Sequence, residues 1–302
     1  MNAQHRRWLI TGAATGFGRA LAEAVMAAGD AVVATARRPA ALADLAEHPS
    51  VTVLALDVTD GAQVRDVVAR AVASGGVDVL VNCAGHGLIG AFEELTDTEF
   101  RGVMETNLFG ALAVTKAVLP HMRERGSGHI VQLSSMGGVS ANPGHAVYAT
   151  SKFALEGASE ALAGEVAPFG IRVTIVEPGP FRTDFAGRSM QASTPMAAYA
   201  GTPARGARDR FRDQDGVQPG DPARGAAAII ATVRAPAAPL RLPLGKEAVA
   251  RIRTKLSWCC PPPGTTATTR CANASCASWP IPTTRRSASE ARWRCTPRRA
   301  AR

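Results

Sequence analysis

The chain has 302 residues, which is long enough for one large α/β domain or two small domains. Its net charge of +9 lies mostly at one end, because residues 257–302 contain eight Arg and a single Glu. The first 256 residues are therefore nearly neutral, which removes most of the support for a nucleic-acid partner. The basic segment at 257–302 is the remaining argument for such a partner, and it is weak because a basic run is usually only solvated.

Cysteine usage and hydropathy bear on where the protein works. Cys83 is the only Cys among residues 1–256, which is typical of a reducing cytosol and predicts no disulfide framework. The start of the chain is polar and lacks the apolar stretch of a secretory signal. No run approaches the ~18–20 apolar residues of a membrane span. We therefore expect a cytoplasmic protein with no membrane partner.

Short apolar runs rich in β-branched residues alternate with longer stretches of helical periodicity. In chain order the pattern predicts a strand at 8–11, a helix at 16–28, strands at 31–36 and 51–55, a helix at 60–73, a strand at 77–82, a helix at 98–124, a strand at 130–133, a helix at 146–166, a strand at 172–176, a helix at 221–233, a strand at 240–244 and a helix at 246–256. Because the strands are continuously apolar, this order predicts an α/β fold with a mostly parallel, doubly wound sheet and helices on both faces.

Two segments within this alternation carry further predictions. The helix at 98–124 is apolar around more than one ~100° face, which predicts a homo-oligomer with this helix at the interface. Residues 184–215 are rich in Gly, Ala, Ser, Pro and Arg and follow the sixth strand. They predict a mobile loop with a short helix that acts as a lid over the substrate.

The composition changes completely at residue 257. Residues 257–302 contain no Leu, Val, Phe, Met, Lys or Asp, but they hold five Cys and three Trp. Such a segment has too little apolar surface to offset its chain entropy, so it predicts a disordered or out-of-frame tail after a single domain at 1–256. A zinc site in the Cys cluster is the alternative, but no two Cys have C-x2-C spacing and no His lies nearby. We predict no metal.

A glycine-rich turn joins the first predicted strand to the first predicted helix. Its sequence is Thr11-Gly12-Ala13-Ala14-Thr15-Gly16-Phe17-Gly18. Glycine lets the backbone turn tightly and approach a pyrophosphate, whose charge is stabilised by the helix N-terminus. Such turns also serve ordinary packing, but the strand-to-helix junction favours dinucleotide binding, with contacts at Thr11, Gly12, Thr15, Gly16, Phe17 and Gly18.

Three further motifs follow in order: Asn82-Cys83-Ala84-Gly85, Tyr148-Ala149-Thr150-Ser151-Lys152 and Pro178-Gly179. Together with the G-x3-G-x-G turn, they resemble the short-chain dehydrogenase/reductase superfamily over residues 7–256. The resemblance implies a single Rossmann-like domain with a seven-stranded sheet and a nicotinamide-dependent oxidoreductase. It also assigns to the cofactor pocket Asn82, Ala84, Gly85, Lys152, Tyr148, Pro178, Gly179 and Thr183. One departure is Cys83, where the family usually has a second Asn, and this puts cofactor affinity in doubt.

The residues after the second strand bear on the choice of cofactor. Arg37 and Arg38 follow it directly, and no Asp or Glu lies between Asp30 and Asp44. An acidic residue here would bind the ribose 2′-hydroxyl of NAD, whereas Arg accommodates the 2′-phosphate of NADP. The pair is either a solvated surface feature or, as we predict, an NADP(H) site. By resemblance, Asp57 and Val58 lie beside the adenine, although Asp57 is also placed to cap the following turn.

The catalytic prediction centres on two residues four positions apart. Tyr148 and Lys152 share a helical face, and a nearby ammonium favours the phenolate, so we expect a Tyr148 pKa below its usual value of ~10. The family places its serine thirteen residues before the tyrosine, which corresponds to Ser135, with Ser134 as the alternative. The family asparagine corresponds to Asn107, and the resemblance implies that Asn107 helps to hold a water connecting Lys152 to solvent.

These predictions combine into an NADP(H)-dependent oxidoreductase. It transfers a hydride between the nicotinamide and a small-molecule carbonyl or secondary alcohol, with Tyr148 as the general acid or base. Ala-, Met- and Phe-rich segments around the predicted substrate pocket favour an apolar ligand. The alternative is an NADP-binding sensor or scaffold without turnover, which has no need of a proton donor. His86 and His145 flank the motifs and are more typical of loop histidines than of substrate ligands.

Overall fold

The computed structural model describes residues 5–259, and the elements below belong to this range. Nine strands are present: β1 (Arg7–Thr11), β2 (Ala31–Ala36), β3 (Val51–Ala55), β4 (Val79–Asn82), β5 (Gly87–Ile89), β6 (Gly128–Leu133), β7 (Ile171–Pro178), β8 (Met190–Ala192) and β9 (Arg241–Leu244). Seven of them form one sheet in the order β3-β2-β1-β4-β6-β7-β9, and every neighbouring pair is parallel. This is the predicted seven-stranded Rossmann-like sheet.

Helices connect the strands and cover the sheet. They are α1 (Gly16–Ala27), α2 (Ala43–Ala46), α3 (Gly61–Ala73), α4 (Asp97–Met104), α5 (Ala111–Arg125), α6 (Ala146–Val166), α7 (Pro203–Asp213), α8 (Pro222–Arg234) and α9 (Lys246–Cys259). A π-helical segment, Glu105–Gly110, joins α4 to α5. Parallel neighbours need a crossover connection, which explains why a helix follows almost every strand of the large sheet.

The core lies on both faces of the sheet because successive strand residues point to opposite sides. Trp8 and Ile10 pack on the face covered by α1 and α8, whereas Leu9 packs on the face covered by α3, α5 and α6. The central strands β1 and β4 are almost entirely buried, which accounts for their uninterrupted apolar sequence.

Local sequence sets several helix starts. The carboxylate of Asp60 accepts hydrogen bonds from the backbone N–H groups of Ala62 and Gln63 at the start of α3, as its position predicted. Asp221 caps α8 in the same way, with Pro222 in the first turn. These caps fix where the crossover helices begin relative to the sheet.

Three features differ from the sequence-based expectations. The predicted helix at 98–124 is divided by the π-helical segment, which a heptad-like apolar pattern does not reveal. The predicted lid at 184–215 contains β8 and α7, and β8 pairs with β5 in a small parallel sheet. β7 continues to Pro178, so that it carries Pro178-Gly179 to the edge of the sheet.

The expectations about membrane spans, metal ligands and the terminal segment concern the described range only in part. Within residues 5–259, no helix combines the length and apolarity needed to span a bilayer. No group of three potential ligands among His, Cys, Asp and Glu could hold a metal ion in that range. The zinc alternative and nearly all of the predicted tail at 257–302 lie outside the described residues.

Candidate active site

A single cleft of about 1080 Å3 runs along the carboxyl edge of the large sheet. Ligands of open α/β sheets bind at this edge, outside the ends of the strands. The cleft brings together most of the predicted site residues: Gly12, Thr15, Gly16, Phe17, Gly18, Arg37, Arg38, Asp57, Val58, Ala84, Gly85, Ser135, Tyr148, Lys152, Pro178, Gly179 and Thr183. Thr11, Asn82 and Asn107 do not line it and lie behind its wall.

The glycine-rich turn forms one end of the cleft. Gly12 and Gly16 have φ angles of +64° and +58°, which a residue with a side chain rarely adopts. A Cβ atom on Gly12 would lie 2.8 Å from the backbone N of Ala84, and one on Gly18 would lie 2.3 Å from the carbonyl oxygen of Gly12. The turn therefore packs backbone against backbone, and the first turn of α1 faces the cleft. This arrangement fits a pyrophosphate.

Thr11 and Asn82 act from behind this wall. The Thr11 hydroxyl accepts hydrogen bonds of 3.1 Å from the backbone N–H groups of Cys83 and Ala84. The Asn82 amide nitrogen lies 3.0–3.2 Å from the Ala111 carbonyl, the Thr115 hydroxyl and the Gln132 amide oxygen. Both residues hold the loop after β4 in place, so their part in cofactor binding would be indirect.

Two arginines and one aspartate stand at the outer rim. Arg37 and Arg38 follow β2, are exposed and line the cleft. The Asp57 carboxylate accepts hydrogen bonds from the backbone N–H and the hydroxyl of Thr59. Asp57 therefore stabilises its own turn, and the two guanidinium groups are the charges at this rim that are free to meet an anion.

Tyr148 and Lys152 converge from one face of α6, as their spacing predicts. The Lys152 ammonium lies 5.8 Å from the centroid of the Tyr148 ring and donates a hydrogen bond of 2.7 Å to the carbonyl oxygen of Leu133. Lys152 is buried and Tyr148 is half-buried. Ser135, just after β6, lines the same part of the cleft, and its hydroxyl oxygen accepts a hydrogen bond of 3.0 Å from Gly137.

Burial governs the protonation of this pair. It raises the pKa of Tyr148 to about 12, although a hydrogen bond with Ser135 acts in the opposite direction. It also lowers the pKa of Lys152 to about 8, although the Glu156 carboxylate acts in the opposite direction. The direction at Tyr148 is opposite to the sequence-based expectation, because burial disfavours the charged phenolate. At neutral pH Tyr148 therefore keeps its proton, and Lys152 is close to releasing its own.

Asn107 lies in the π-helical segment and is almost fully buried. Its amide oxygen accepts a hydrogen bond of 2.9 Å from His86 N–H, and its amide nitrogen donates to the His86 carbonyl and the Ser151 hydroxyl. Ser151 in turn donates to the carbonyl oxygen of Tyr148. Asn107 thus ties the loop after β4 to α6 at Ser151, which explains a polar side chain in an apolar helix.

Two histidines, one cysteine and a second serine are the other candidates near the motifs. His86 and His145 both line it, and burial lowers the pKa of each, which favours neutral rings. Burial raises the pKa of the Cys83 thiol to about 12, so this thiol is poorly suited to be a nucleophile. The Ser134 side chain is buried near Glu156, whereas Ser135 lies beside Tyr148.

Sequence reasoning assigned the segment of Phe185 to the substrate pocket, but it did not single out Phe211 or Arg251, which reach the cleft from distant helices. Phe185 lies 5.3 Å from Tyr148 between ring centroids, and Phe211 of α7 lies 6.4 Å from Phe185. Arg251 of α9 also lines the cleft. The amphipathic α7 offered a weak signal, but no motif links these positions to Tyr148.

Comparisons with known proteins agree with this geometry. A family model described as short chain dehydrogenase matches residues 6–193. Oxidoreductase BOA17 of Botryotinia fuckeliana (strain B05.10) is 41% identical over 246 residues, which cover 80% of this chain and 89% of the relative. A solved short-chain dehydrogenase from Streptomyces avermitilis has a TM-score of 0.80 and 47% identity, with 85% of this chain and 94% of that chain covered.

A more distant solved structure holds a cofactor. The closed form of a serine dehydrogenase complexed with NADP+ has a TM-score of 0.69 and 26% identity. The similarity covers 79% of this chain and 94% of the serine dehydrogenase.

Proposed function

The chain belongs to the short-chain dehydrogenase family of pyridine-nucleotide-dependent oxidoreductases, and we propose that it is an NADP(H)-dependent carbonyl reductase with Tyr148 as the proton donor. The observation that carries the proposal is that the Tyr148 phenol lines one cleft together with Ser135, Lys152 and the glycine-rich turn, with the Lys152 ammonium 5.8 Å from the centroid of its ring. A bound nicotinamide supplies the hydride for the substrate carbonyl.

The side chains supply a hydrogen-bonding site and a proton. The hydroxyls of Ser135 and Tyr148 lie together in the cleft, so both can donate to one carbonyl oxygen and stabilise the negative charge that develops there. Tyr148, protonated at neutral pH, then gives its proton to the alkoxide. Lys152, with a pKa of about 8, is the nearby group that can restore the phenol.

Asn107 has a positioning role in this proposal. Its hydrogen bonds with His86 and Ser151 fix the loop after β4 against α6. Because Ser151 is bonded to the backbone of Tyr148, a shift of this loop would move the proton donor. We expect small displacements here to be costly, since proton transfer depends on hydrogen-bond geometry.

NADP(H) is the preferred cofactor in this proposal because of Arg37 and Arg38. Both guanidinium groups are exposed at the rim of the cleft, and a guanidinium binds a phosphate through several donors. The solved serine dehydrogenase, which is 26% identical, holds NADP+. Thr183 and Pro178-Gly179 also line the cleft, and in this proposal they shape the nicotinamide pocket.

We propose further a homo-oligomer, a cytoplasmic location and a substrate with an apolar body. Phe109 on the segment between α4 and α5 is 52% exposed, and Phe153 on α6 is 42% exposed. Large exposed aromatic side chains on neighbouring helices favour a subunit interface. Light scattering of the purified chain at micromolar concentration tests this, and a monomeric mass would contradict it.

The test of the proposed function is the variant Tyr148→Phe, assayed by NADPH oxidation with a panel of ketones, aldehydes and quinones. We expect turnover to fall by at least ~100-fold, because the proton donor is lost, while NADPH affinity measured by fluorescence stays within about threefold. Thr150→Ala, an exposed position on the same helix, is the matched control and should keep full turnover.

Other results would contradict particular parts of the proposal. Full activity of Tyr148→Phe would remove Tyr148 as the donor. Equal affinity of the wild-type protein for NADH and NADPH, or no change in this preference in the double variant Arg37→Gln/Arg38→Gln, would remove the NADP assignment. NADPH binding without turnover of any carbonyl would favour a sensor or scaffold.

A further inference from the structure

The cleft extends beyond Tyr148 into a part that the cofactor motifs do not build. Its middle is aromatic: Phe185 lies between Tyr148 and Phe211, at 5.3 and 6.4 Å between ring centroids, and Phe211 lies 5.5 Å from the His145 ring. The side chains of Met136 and Met190 line the same cleft. This section fits an apolar body of a ligand.

The charges in this part of the cleft have one sign. From Leu133 to the end of the described chain, the residues that line the cleft include Lys152, Arg188, Arg210 and Arg251, but no Asp or Glu. Arg188 forms an ion pair with Asp184. The carboxylates that do line the cleft, those of Asp57, Glu99 and Glu105, come from the segments that precede β6.

Arg210 and Arg251 lie close to the aromatic section. The pKa of His145 is lowered first by burial and then by the positive charges of Arg251 and Arg210. Both guanidinium groups therefore lie within electrostatic reach of the His145 ring. His145 lies at the start of α6, three residues before Tyr148. The cationic region therefore borders the catalytic helix and is not a distant surface patch.

Arg251 is the better placed of the two to hold a ligand. It is half-buried, and one of its terminal nitrogens donates to the carbonyl oxygen of Ser140. Among the described residues no carboxylate forms an ion pair with it within 4 Å, and burial lowers its pKa. A guanidinium has five donors, so most of them remain available toward the cleft. Arg210 is exposed and adds positive charge at the rim.

A partly desolvated guanidinium that lines a cleft and has no counter-charge favours the binding of an anion there. We propose that the substrate is an oxo acid, with its carbonyl at Ser135 and Tyr148, its apolar body beside Phe185 and Phe211, and its carboxylate bound by Arg251. Arg210 strengthens the positive potential around that carboxylate. This inference rests on the proposed function only for the position of the carbonyl, because the anion site is defined by the arginines themselves.

The first experiment compares methyl-ketone carboxylic acids of increasing chain length with the methyl ester of each, using NADPH oxidation by the full chain. For the best chain length, we expect kcat/KM of the acid to exceed that of its ester by about tenfold or more, since a charge-assisted hydrogen bond replaces a neutral contact. In Arg251→Gln this ratio should fall to about one. Arg251→Lys should keep part of it.

Arg253→Gln is the matched control, because Arg253 is an exposed residue of the same helix that does not line the cleft. Its acid-to-ester ratio should equal that of the wild type. An equal loss for acid and ester in Arg251→Gln would overturn the proposal, because it would mean that Arg251 only braces the Ser140 loop. A wild-type ratio near one at every chain length would overturn it as well.

The second experiment measures binding without turnover and separates this inference from the proposed function. Hexanoate, octanoate and decanoate, and the amide of each acid, are titrated by calorimetry into the protein with NADP+. Carboxylate affinity at least about tenfold above that of the amide, lost in Arg251→Gln, supports the anion site even if no carbonyl is reduced. Turnover of the esters with no preference for carboxylates in either assay would leave the reductase standing and refute the oxo-acid substrate.

Discussion

Replacing Lys152 with Met should stabilise the cofactor-free protein while abolishing its activity. Lys152 is buried to 6% exposure, and its ammonium is bonded to one carbonyl oxygen, that of Leu133. Burial disfavours the charged form, which is why its pKa lies at about 8 instead of 10.5. Methionine has a similar shape and carries no charge, so it removes the cost of burying the ammonium.

The displacement of the Lys152 pKa from 10.5 to about 8 sets the magnitude. At ~1.36 kcal/mol per pKa unit, holding the ammonium in the folded protein costs about 3 kcal/mol at neutral pH. The substitution also removes the hydrogen bond to the Leu133 carbonyl, which lowers the free energy of unfolding by about 1 kcal/mol. We therefore expect Lys152→Met to raise the free energy of unfolding by about 2 kcal/mol near pH 7.

The sign of the pH dependence follows from where the proton is bound. Between about pH 8 and pH 10.5 the unfolded chain keeps the Lys152 proton while the folded protein releases it, so the wild type gains stability as the pH rises. The advantage of Lys152→Met should therefore shrink by about 2 kcal/mol between about pH 7 and pH 9.5.

Urea unfolding followed by circular dichroism at the two pH values measures both quantities. Lys116→Met, at an exposed position of α5, is the control and should change stability by less than about 0.5 kcal/mol at either pH. A destabilised Lys152→Met protein at pH 7, or an advantage that does not depend on pH, would refute the argument that burial of this charge dominates.

Two further substitutions test the cofactor turn and the positioning network. Gly18→Ala should lower NADPH affinity at least about tenfold and cost about 1–3 kcal/mol of unfolding free energy, because the new Cβ would lie 2.3 Å from the Gly12 carbonyl oxygen. The control is Gly157→Ala, since a Cβ at that position would have no atom within 4 Å. Equal effects of the two substitutions would exclude the steric cause. Asn107→Leu should lower the free energy of unfolding by about 1–3 kcal/mol and reduce kcat, because it leaves the backbone N–H and C=O of His86 without their hydrogen-bond partner. An unchanged urea midpoint would show that these hydrogen bonds are dispensable.

The layout of the large sheet could be predicted from sequence because its strands are buried on both faces. Residues 8–10 of β1 and 79–81 of β4 are continuously apolar, β7 is almost entirely buried, and crossover helices separate the strands along the chain. The small sheet of β5 and β8 could not be predicted, since each strand has three residues and their pairing joins segments about a hundred residues apart. Short elements of this kind form only where tertiary contacts hold them.

The candidate site divides in the same way. Its cofactor half follows strand ends, so residues such as Gly12 and Arg37 could be placed from their position after a predicted strand. Its substrate half is assembled from the loop around Phe185, from α7 and from α9, which are adjacent only in the folded chain. The Tyr148 pKa was also beyond sequence reasoning, because the degree of burial around a phenol depends on those distant segments.

Unfavourable groups concentrate around α6 and the carboxyl ends of β4 and β6. Lys152 is a buried cation, burial raises the pKa of the Glu156 carboxyl one turn further along the helix, and the amide oxygen of Asn82 has no hydrogen-bond partner among the described residues. Each of these costs stability, and an apolar core could replace them at a gain. Such a local departure from the most stable arrangement is expected where chemistry requires charge and proton transfer. Substitutions that stabilise this protein near Lys152 should therefore reduce its activity, whereas those at exposed helical positions such as Gly157 should not.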